Sequence, residues 1–275
     1  MGMVTAIKHI TAGNLHIRVL GQIPEQAVKP KGRAARAKPT PPGQVFYNNK
    51  LSWEECKLWM AANFGPRDYF VTCTYTDEFL PEDKKSAESG AWKKYIAKLR
   101  RVRKRRGKEL KYIYVTEGFH GKGSSEFMEE DGDLENVRLH HHFVVNNAGP
   151  EDLDELRSLW PGGGYVRIEP LDIRYYEELA KYMTKEAREF GRAKPGDRTW
   201  KRSMNLTEYQ VEYIEIPMGG MALTPPPGAV DYEAFHEKNP YGFADCVGDQ
   251  YFLFKDDDKP GYTYTGRRRT GHLNN

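Results

Sequence analysis

The run Leu139-His140-His141-His142-Phe143-Val144-Val145 constrains this chain more tightly than any other stretch. Three consecutive histidines lead into an apolar, β-forming segment. In a strand, successive side chains point to opposite faces. His140, His142 and Val144 then share one face, and Leu139, His141, Phe143 and Val145 share the other. Two imidazoles two residues apart on one strand face can chelate a single metal ion, because neutral imidazole is the commonest metal ligand. The same residues also fit a polar patch of hydrogen-bonded histidines at a strand start. The run alone does not separate the two.

The chain has 275 residues, enough for one large domain or two small ones. Hydrophobic residues make up 39% and charged residues 29%, the balance of a polar but foldable protein. No run approaches the roughly 18 apolar residues of a membrane-crossing helix. Met1 to Leu20 lacks the apolar core of a signal peptide. Both features predict a cytoplasmic protein with no membrane partner. Cys56, Cys73 and Cys246 are scattered and odd in number, which suggests neither a disulfide framework nor a zinc knuckle. The formal net charge of +3 says little about partners. Its distribution says more: Arg100 to Arg106 and Arg267 to Arg269 concentrate positive charge, and Glu129 to Glu135 and Asp256 to Asp258 concentrate negative charge.

Along the chain, residues 3 to 20 alternate as strands do around Ala12-Gly13-Asn14, which predicts a hairpin. Residues 24 to 44 are rich in proline and basic side chains and read as an exposed arm. Ser52 and Glu55 form a capping box that predicts a helix over Trp53 to Phe64. Tyr69 to Tyr75 reads as a strand, Trp92 to Arg106 as a basic amphipathic helix with Trp92, Tyr95, Ile96, Leu99 and Val102 on its apolar stripe, and Lys111 to Thr116 as a second strand. Phe119 to Val137 reads as a surface loop. A helix over Glu151 to Trp160, a strand over Tyr165 to Ile168 and a helix over Ile173 to Glu189 follow the histidine strand, and Val211 to Ile216 and Gln250 to Phe254 are short strands. The order predicts an α+β fold with a central antiparallel sheet and helices packed on one face. Three regions are expected: an N-terminal hairpin and arm over 1–44, a main domain over 45–207, and a C-terminal extension over 208–275.

Three features could meet at one site. His140 and His142 are the first. Glu117, at the end of the neighbouring strand, could add a carboxylate, and two imidazoles with a carboxylate suit Mn²⁺ or Mg²⁺. It also fits a turn carboxylate. The third is the helix segment Leu179-Ala180-Lys181-Tyr182-Met183-Thr184-Lys185. Tyr182 and Lys185 are three apart and share a helical face. A tyrosine hydroxyl beside a metal-bound phosphate is a candidate nucleophile, and a nearby ammonium can stabilise the developing charge. The alternative is a packed tyrosine and a solvated lysine.

Phe70-Val71-Thr72-Cys73-Thr74-Tyr75, the histidine strand and Tyr182-Met183-Thr184-Lys185 resemble, in that order, the three motifs of HUH-type rolling-circle replication initiators. Ala62-Asn63-Phe64, Tyr112 to Glu117, Trp160 with its following glycines, Lys181 to Glu186 and Arg202 to Leu206 are similar to replication-associated proteins of bacterial plasmids, integrative elements and phages. The resemblance spans residues 45 to 207. It implies the RRM-like sheet of an HUH endonuclease and a metal-dependent nickase and ligase for single-stranded or hairpin origin DNA, working in the bacterial cytoplasm. His140, His142 and Glu117 would be metal ligands. Tyr182 would form a 5′-phosphotyrosine link, and Lys185 would assist. Positions 178 and 186 are both Glu, which implies the single-tyrosine class.

The cationic run predicts phosphate contacts from Arg100, Arg101, Arg103, Lys104, Arg105, Arg106 and Lys111. No Gly-x-x-x-x-Gly-Lys-Ser/Thr phosphate loop is present, so unwinding and synthesis would fall to a host helicase and polymerase. Competing readings are a non-catalytic DNA-binding replication protein on the same fold, and a relaxase or transposase. Relaxases usually carry the tyrosine before the histidines, whereas here it follows them.

Overall fold

The computed structural model describes residues 3–24, 42–118, 138–185, 198–216, 223–237 and 246–254. The loop expected over Phe119 to Val137 and the basic run Arg267 to Arg269 lie outside the described residues, as does most of the arm expected over 24–44.

Gly13 and Asn14 make a two-residue turn between β1 (Met3–Ala12) and β2 (Leu15–Pro24), with Ala12 opposite Leu15. Gly13 takes φ +60°, which glycine adopts without steric cost. A Cβ there would come within 2.3 Å of the Ala61 carbonyl oxygen, so the hairpin tip packs directly on the first helix. That helix, α1 (Pro42–Asn63), starts well before the predicted capping box. Pro42 suits a first helical position, where its missing N–H leaves nothing unpaired. Ser52 is therefore interior to the helix, and its carbonyl accepts from Trp200 Nε1 at 2.9 Å.

The chain continues through β3 (Tyr69–Tyr75), α2 (Lys84–Ala87), a π-helical turn (Glu88–Trp92), α3 (Lys93–Arg105), β4 (Tyr112–Glu117), β5 (His140–Val145), α4 (Asp152–Ser158) and β6 (Gly163–Pro170). A 3₁₀ turn (Ile173–Tyr175) leads into α5 (Tyr176–Met183), followed by β7 (Lys201–Arg202), β8 (Gln210–Glu215), β9 (Val230–Glu237) and β10 (Cys246–Phe252). No helix among the described residues is long and apolar enough to cross a membrane.

The described strands form two five-stranded antiparallel sheets. The central one has the order β6-β3-β5-β4-β7 and carries the histidine strand in its middle. The other, β8-β1-β2-β10-β9, joins the N-terminal hairpin to strands from the C-terminal part of the chain.

The α+β architecture on a central antiparallel sheet is as the element order predicts. Its helices cover both faces of that sheet rather than one. The reason lies in β5, which is apolar in both of its alternating sets. Phe143 and Val145 join Val71, Tyr95, Leu99 and Leu156 in a core under α3 and α4. Val144 joins Ile113, Val115, Met60, Ala180 and Met183 in a second core with α1 and α5, which the hairpin closes from the far side with Ile10, Leu15 and Ile17. Phe143, Val144 and Val145 are all fully buried. Each such burial contributes about 1.5–3 kcal/mol, so the strand that carries the histidines is anchored from both sides. Lys57 of α1 ties the layers together, donating to Glu177 Oε2 of α5 at 2.9 Å and Gln250 Oε1 of β10 at 3.3 Å.

Candidate metal and nucleophile site

Strand alternation sends His140 and His142 to the α5 side of the sheet. The β4–β5 register sets Glu117 directly opposite His140, so the carboxylate arrives on the same face. Glu117 Oε2 lies 3.7 Å from His140 Nε2 and 3.8 Å from His142 Nε2, and the two Nε2 atoms are 2.8 Å apart. One ligand atom from each of the three residues falls within 4.8 Å of the others.

The outer nitrogens show why the inner ones converge. His140 Nδ1 donates to the Arg138 carbonyl at 2.8 Å, which leaves Nε2 as a lone-pair donor. His142 Nδ1 is held by Thr72 Oγ1 at 2.9 Å. Burial lowers the pKa of both rings, that of His142 to about 3, with the neighbouring histidines adding to the effect on His142. Both are therefore neutral near pH 7, and their approaches to Glu117 are convergent donor atoms rather than ion pairs. Two neutral imidazole nitrogens and a carboxylate, each ring oriented by an outer hydrogen bond, fit a divalent cation.

Removing the outer hydrogen bond should loosen the ring. We expect Thr72→Val to weaken Mn²⁺ binding by about 10- to 100-fold in titration calorimetry. An unchanged affinity would show that Thr72 does not orient the ligand.

The remaining histidine answers to the opposite face. His141 is fully buried, its Nε2 bonded to the Tyr75 hydroxyl at 2.6 Å and its Nδ1 to Thr116 Oγ1 at 3.0 Å. Its ring stacks on Trp92 with centroids 5.0 Å apart. With both nitrogens engaged in the other core, His141 is no rival for the metal. Burial pushes its pKa from 6.5 down to about 3. A folded state that holds this ring neutral loses stability to an unfolded state that can protonate it. Its contribution is complete above pH 6.5 and is lost as pH falls toward about 3, at up to about 1.4 kcal/mol per pH unit for one group. Urea midpoints measured in that window should fall with pH, and a flat profile would contradict a neutral core histidine.

Tyr182 approaches from α5. Its hydroxyl is 3.2 Å from His142 Nε2, and its ring meets His142 edge-on at 5.1 Å. Phe70 stacks on His142 at 5.5 Å and meets Tyr182 edge-on at 6.3 Å, bracketing both. Tyr182 nevertheless remains 43% exposed, open to an incoming ligand. Burial, and then the Glu117 charge, raise its pKa above that of an ordinary phenol. Of the other tyrosines on this segment, Tyr176 is buried and donates to the Phe64 carbonyl, and Tyr175 is exposed under the Arg174 guanidinium. Lys185 is exposed just past Thr184, which caps α5.

The basic run divides differently from the sequence expectation. Arg103 is 0% exposed and pairs with the equally buried Asp152 at 3.1 Å. Arg106 pairs with Glu151, Asp152 and Glu155. Neither guanidinium is presented to a phosphate, because both hold α4 against α3. Arg100, Arg101, Lys104 and Arg105 are exposed and Lys111 is half-buried. The four exposed cations of α3 lie on the side of the sheet across from His140 and His142, and Lys111 lies immediately before β4. The helical stripe carried the warning: Arg103 follows Leu99 by four residues and continues the buried face.

Four residues at the site had no assigned role in the sequence. Thr72 and Phe70 share the alternate face of β3 with the histidines, a signal present in the alternating pattern. Lys84 acts electrostatically on both Glu117 and His140 from α2, far away in sequence and with no local signature. Arg167 of β6 acts on Tyr182.

Residues 68–187 match the family model of the replication-associated protein ORF2/G2P. The matched span runs from the start of β3 past α5 and so contains Glu117, His140, His142, Tyr182 and Lys185. It is less than half of the 275-residue chain, and it leaves all five strands of the hairpin-containing sheet outside. The match supports a role in initiating replication. No curated protein and no solved structure matches the chain.

Proposed function

We propose that this chain is a metal-dependent, site-specific single-strand DNA endonuclease and strand transferase of the single-tyrosine HUH class, initiating rolling-circle replication. The observation that carries the reading is the Tyr182 hydroxyl placed 3.2 Å from the inner nitrogen of His142, at the edge of a two-histidine, one-carboxylate donor set.

Glu117, His140 and His142 would hold Mn²⁺ or Mg²⁺. When bound, the ion would polarise the scissile phosphate and offset charge on its oxygens. Phe70 and the α5 packing hold the Tyr182 ring over the site while its hydroxyl stays open to substrate. Tyr182 Oη attacks phosphorus: the Oη–P bond forms, the P–O3′ bond breaks, the phenolic proton passes to solvent, and the departing oxygen takes a proton to become a free 3′-hydroxyl. That hydroxyl primes synthesis, with a host helicase and polymerase supplying unwinding and extension. A later attack by a 3′-hydroxyl on the phosphotyrosine reverses the bonds and reseals the strand. Lys185 serves as a cation for the phosphate.

The test is incubation with single-stranded DNA spanning the origin of the protein's own element, with Mn²⁺ or Mg²⁺, followed by a denaturing gel. A covalent protein–DNA adduct that disappears with chelator is expected. Absence of an adduct with every origin segment would favour a non-catalytic DNA-binding protein.

A further inference from the structure

The exposed cations of α3 sit on the wrong side of the sheet for a strand lying across Tyr182, so the DNA path has to be sought on the site face. That face is built from rows fixed by register. Arg167 of β6 lies opposite Thr72, which lies opposite His142. Arg167 is thus two strand spacings from the metal ligand, roughly 10 Å. β6 is an edge strand, and its alternate residues Val166 and Ile168 pack into the α3 core, which turns Tyr165, Arg167 and Glu169 to the site face.

Tyr165 is 71% exposed, yet its backbone is fixed. Its N–H donates to Thr74 Oγ1 at 2.8 Å, and that hydroxyl donates back to the Tyr165 carbonyl at 3.2 Å. The β3–β6 ladder carries a register shift at this point, between Cys73 and Tyr75, an irregularity of the kind that re-aims side chains beside functional sites. Arg167 pairs with Glu169 at 2.8 Å, with the arginine side chain 61% and the glutamate side chain 43% exposed. An ion pair so exposed is weak, and a phosphate can displace the carboxylate. Arg167 also acts electrostatically on Tyr182, which places its charge within range of the nucleophile.

An open aromatic ring on a fixed backbone, two residues from an arginine, fits unpaired bases and their phosphates better than a duplex. We infer that the outer face of β6 seats the single-stranded DNA flanking the scissile phosphate, with Tyr165 stacking a base and Arg167 holding a phosphate. This inference rests on the function proposed above, and it moves the DNA contact from the predicted basic helix to an edge strand.

Fluorescence anisotropy with labelled oligo(dT) in chelator measures binding by the full chain with no cleavage. Tyr165→Ala should weaken binding by about tenfold. Tyr165→Phe, which keeps the ring, should restore it. Arg167→Gln should lower the slope of log affinity against log salt by about one. The surface is overturned if both Tyr165→Ala and Arg167→Gln bind as the parent does, if duplex DNA of the same length binds as tightly as the single strand, or if Lys104→Gln on α3 loses more affinity than Arg167→Gln. The outcomes separate from those of the nicking assay. An adduct with unchanged binding by the β6 variants removes this surface alone. Loss of binding by the β6 variants without any adduct removes the nicking reaction and leaves the surface.

Discussion

Tyr182→Phe is expected to abolish the covalent DNA adduct of the proposed reaction while leaving fold, metal binding and DNA binding in place. This is the largest expected effect on activity, because the change removes the one atom proposed to bond to phosphorus. The cost to the scaffold is small. Tyr182 is 43% exposed, and its ring contacts with His142 and Phe70 are retained by phenylalanine. Only the hydroxyl contact to His142 Nε2 is lost, worth about 0.5–1.5 kcal/mol. Adduct on a denaturing gel should fall to background, and oligo(dT) binding should change less than about twofold. Persistence of the adduct would mean that another residue is the nucleophile. The raised pKa of the phenol adds a direction: adduct formation should rise with pH wherever ionisation of Tyr182 limits the rate.

Asp152→Ala should have the largest effect on stability, about 3–5 kcal/mol, because it leaves a buried guanidinium without its counter-charge. Asp152 is fully buried and serves several donors at once. Its oxygens accept from Arg103 at 3.1 Å, from Arg106 at 3.3 Å and from the Ala148 backbone N–H at 2.5 Å. Arg103 keeps one other acceptor, Asn146 Oδ1 at 2.7 Å, which carries no charge. Burial already works against its ionised form. Equilibrium urea denaturation reads the loss. The paired replacement of Arg103 by Met with Asp152 by Leu should recover much of it, since the desolvation cost disappears together with the attraction. A loss below about 1 kcal/mol for Asp152→Ala would show that the pair is solvated in solution.

The same pair explains where reading the sequence went astray. Seven cations in or beside one helix suggested a DNA-binding face, but charge in a sequence does not state its partner. Asp152 and Glu155 lie about fifty residues away in the chain, and only docking of α4 on α3 brings them to Arg103 and Arg106. Lys84 and Arg167 went unassigned for the same reason, since each reaches the site from an element with no motif of its own. Strand alternation, by contrast, was legible. The separation of His140 and His142 from His141, and the common face of Phe70 and Thr72, follow from a period of two that tertiary packing cannot alter. The span of β3 was also readable, because Tyr69 to Tyr75 combines aromatic and β-branched residues between a turn and a threonine.

The sequence by itself determined which histidines face together, that an α+β fold on an antiparallel sheet would carry them, and that Glu117 and Tyr182 were the candidates to join them. These depend on local periodicity and on motif order along the chain. Tertiary structure alone decided that Glu117 stands opposite His140, that Thr72 and Arg138 turn the inner nitrogens toward one point, that Arg103 is a core ion pair, and that the hairpin at one end of the chain shares a sheet with strands near the other. Register, docking and burial bring together residues that no local pattern connects.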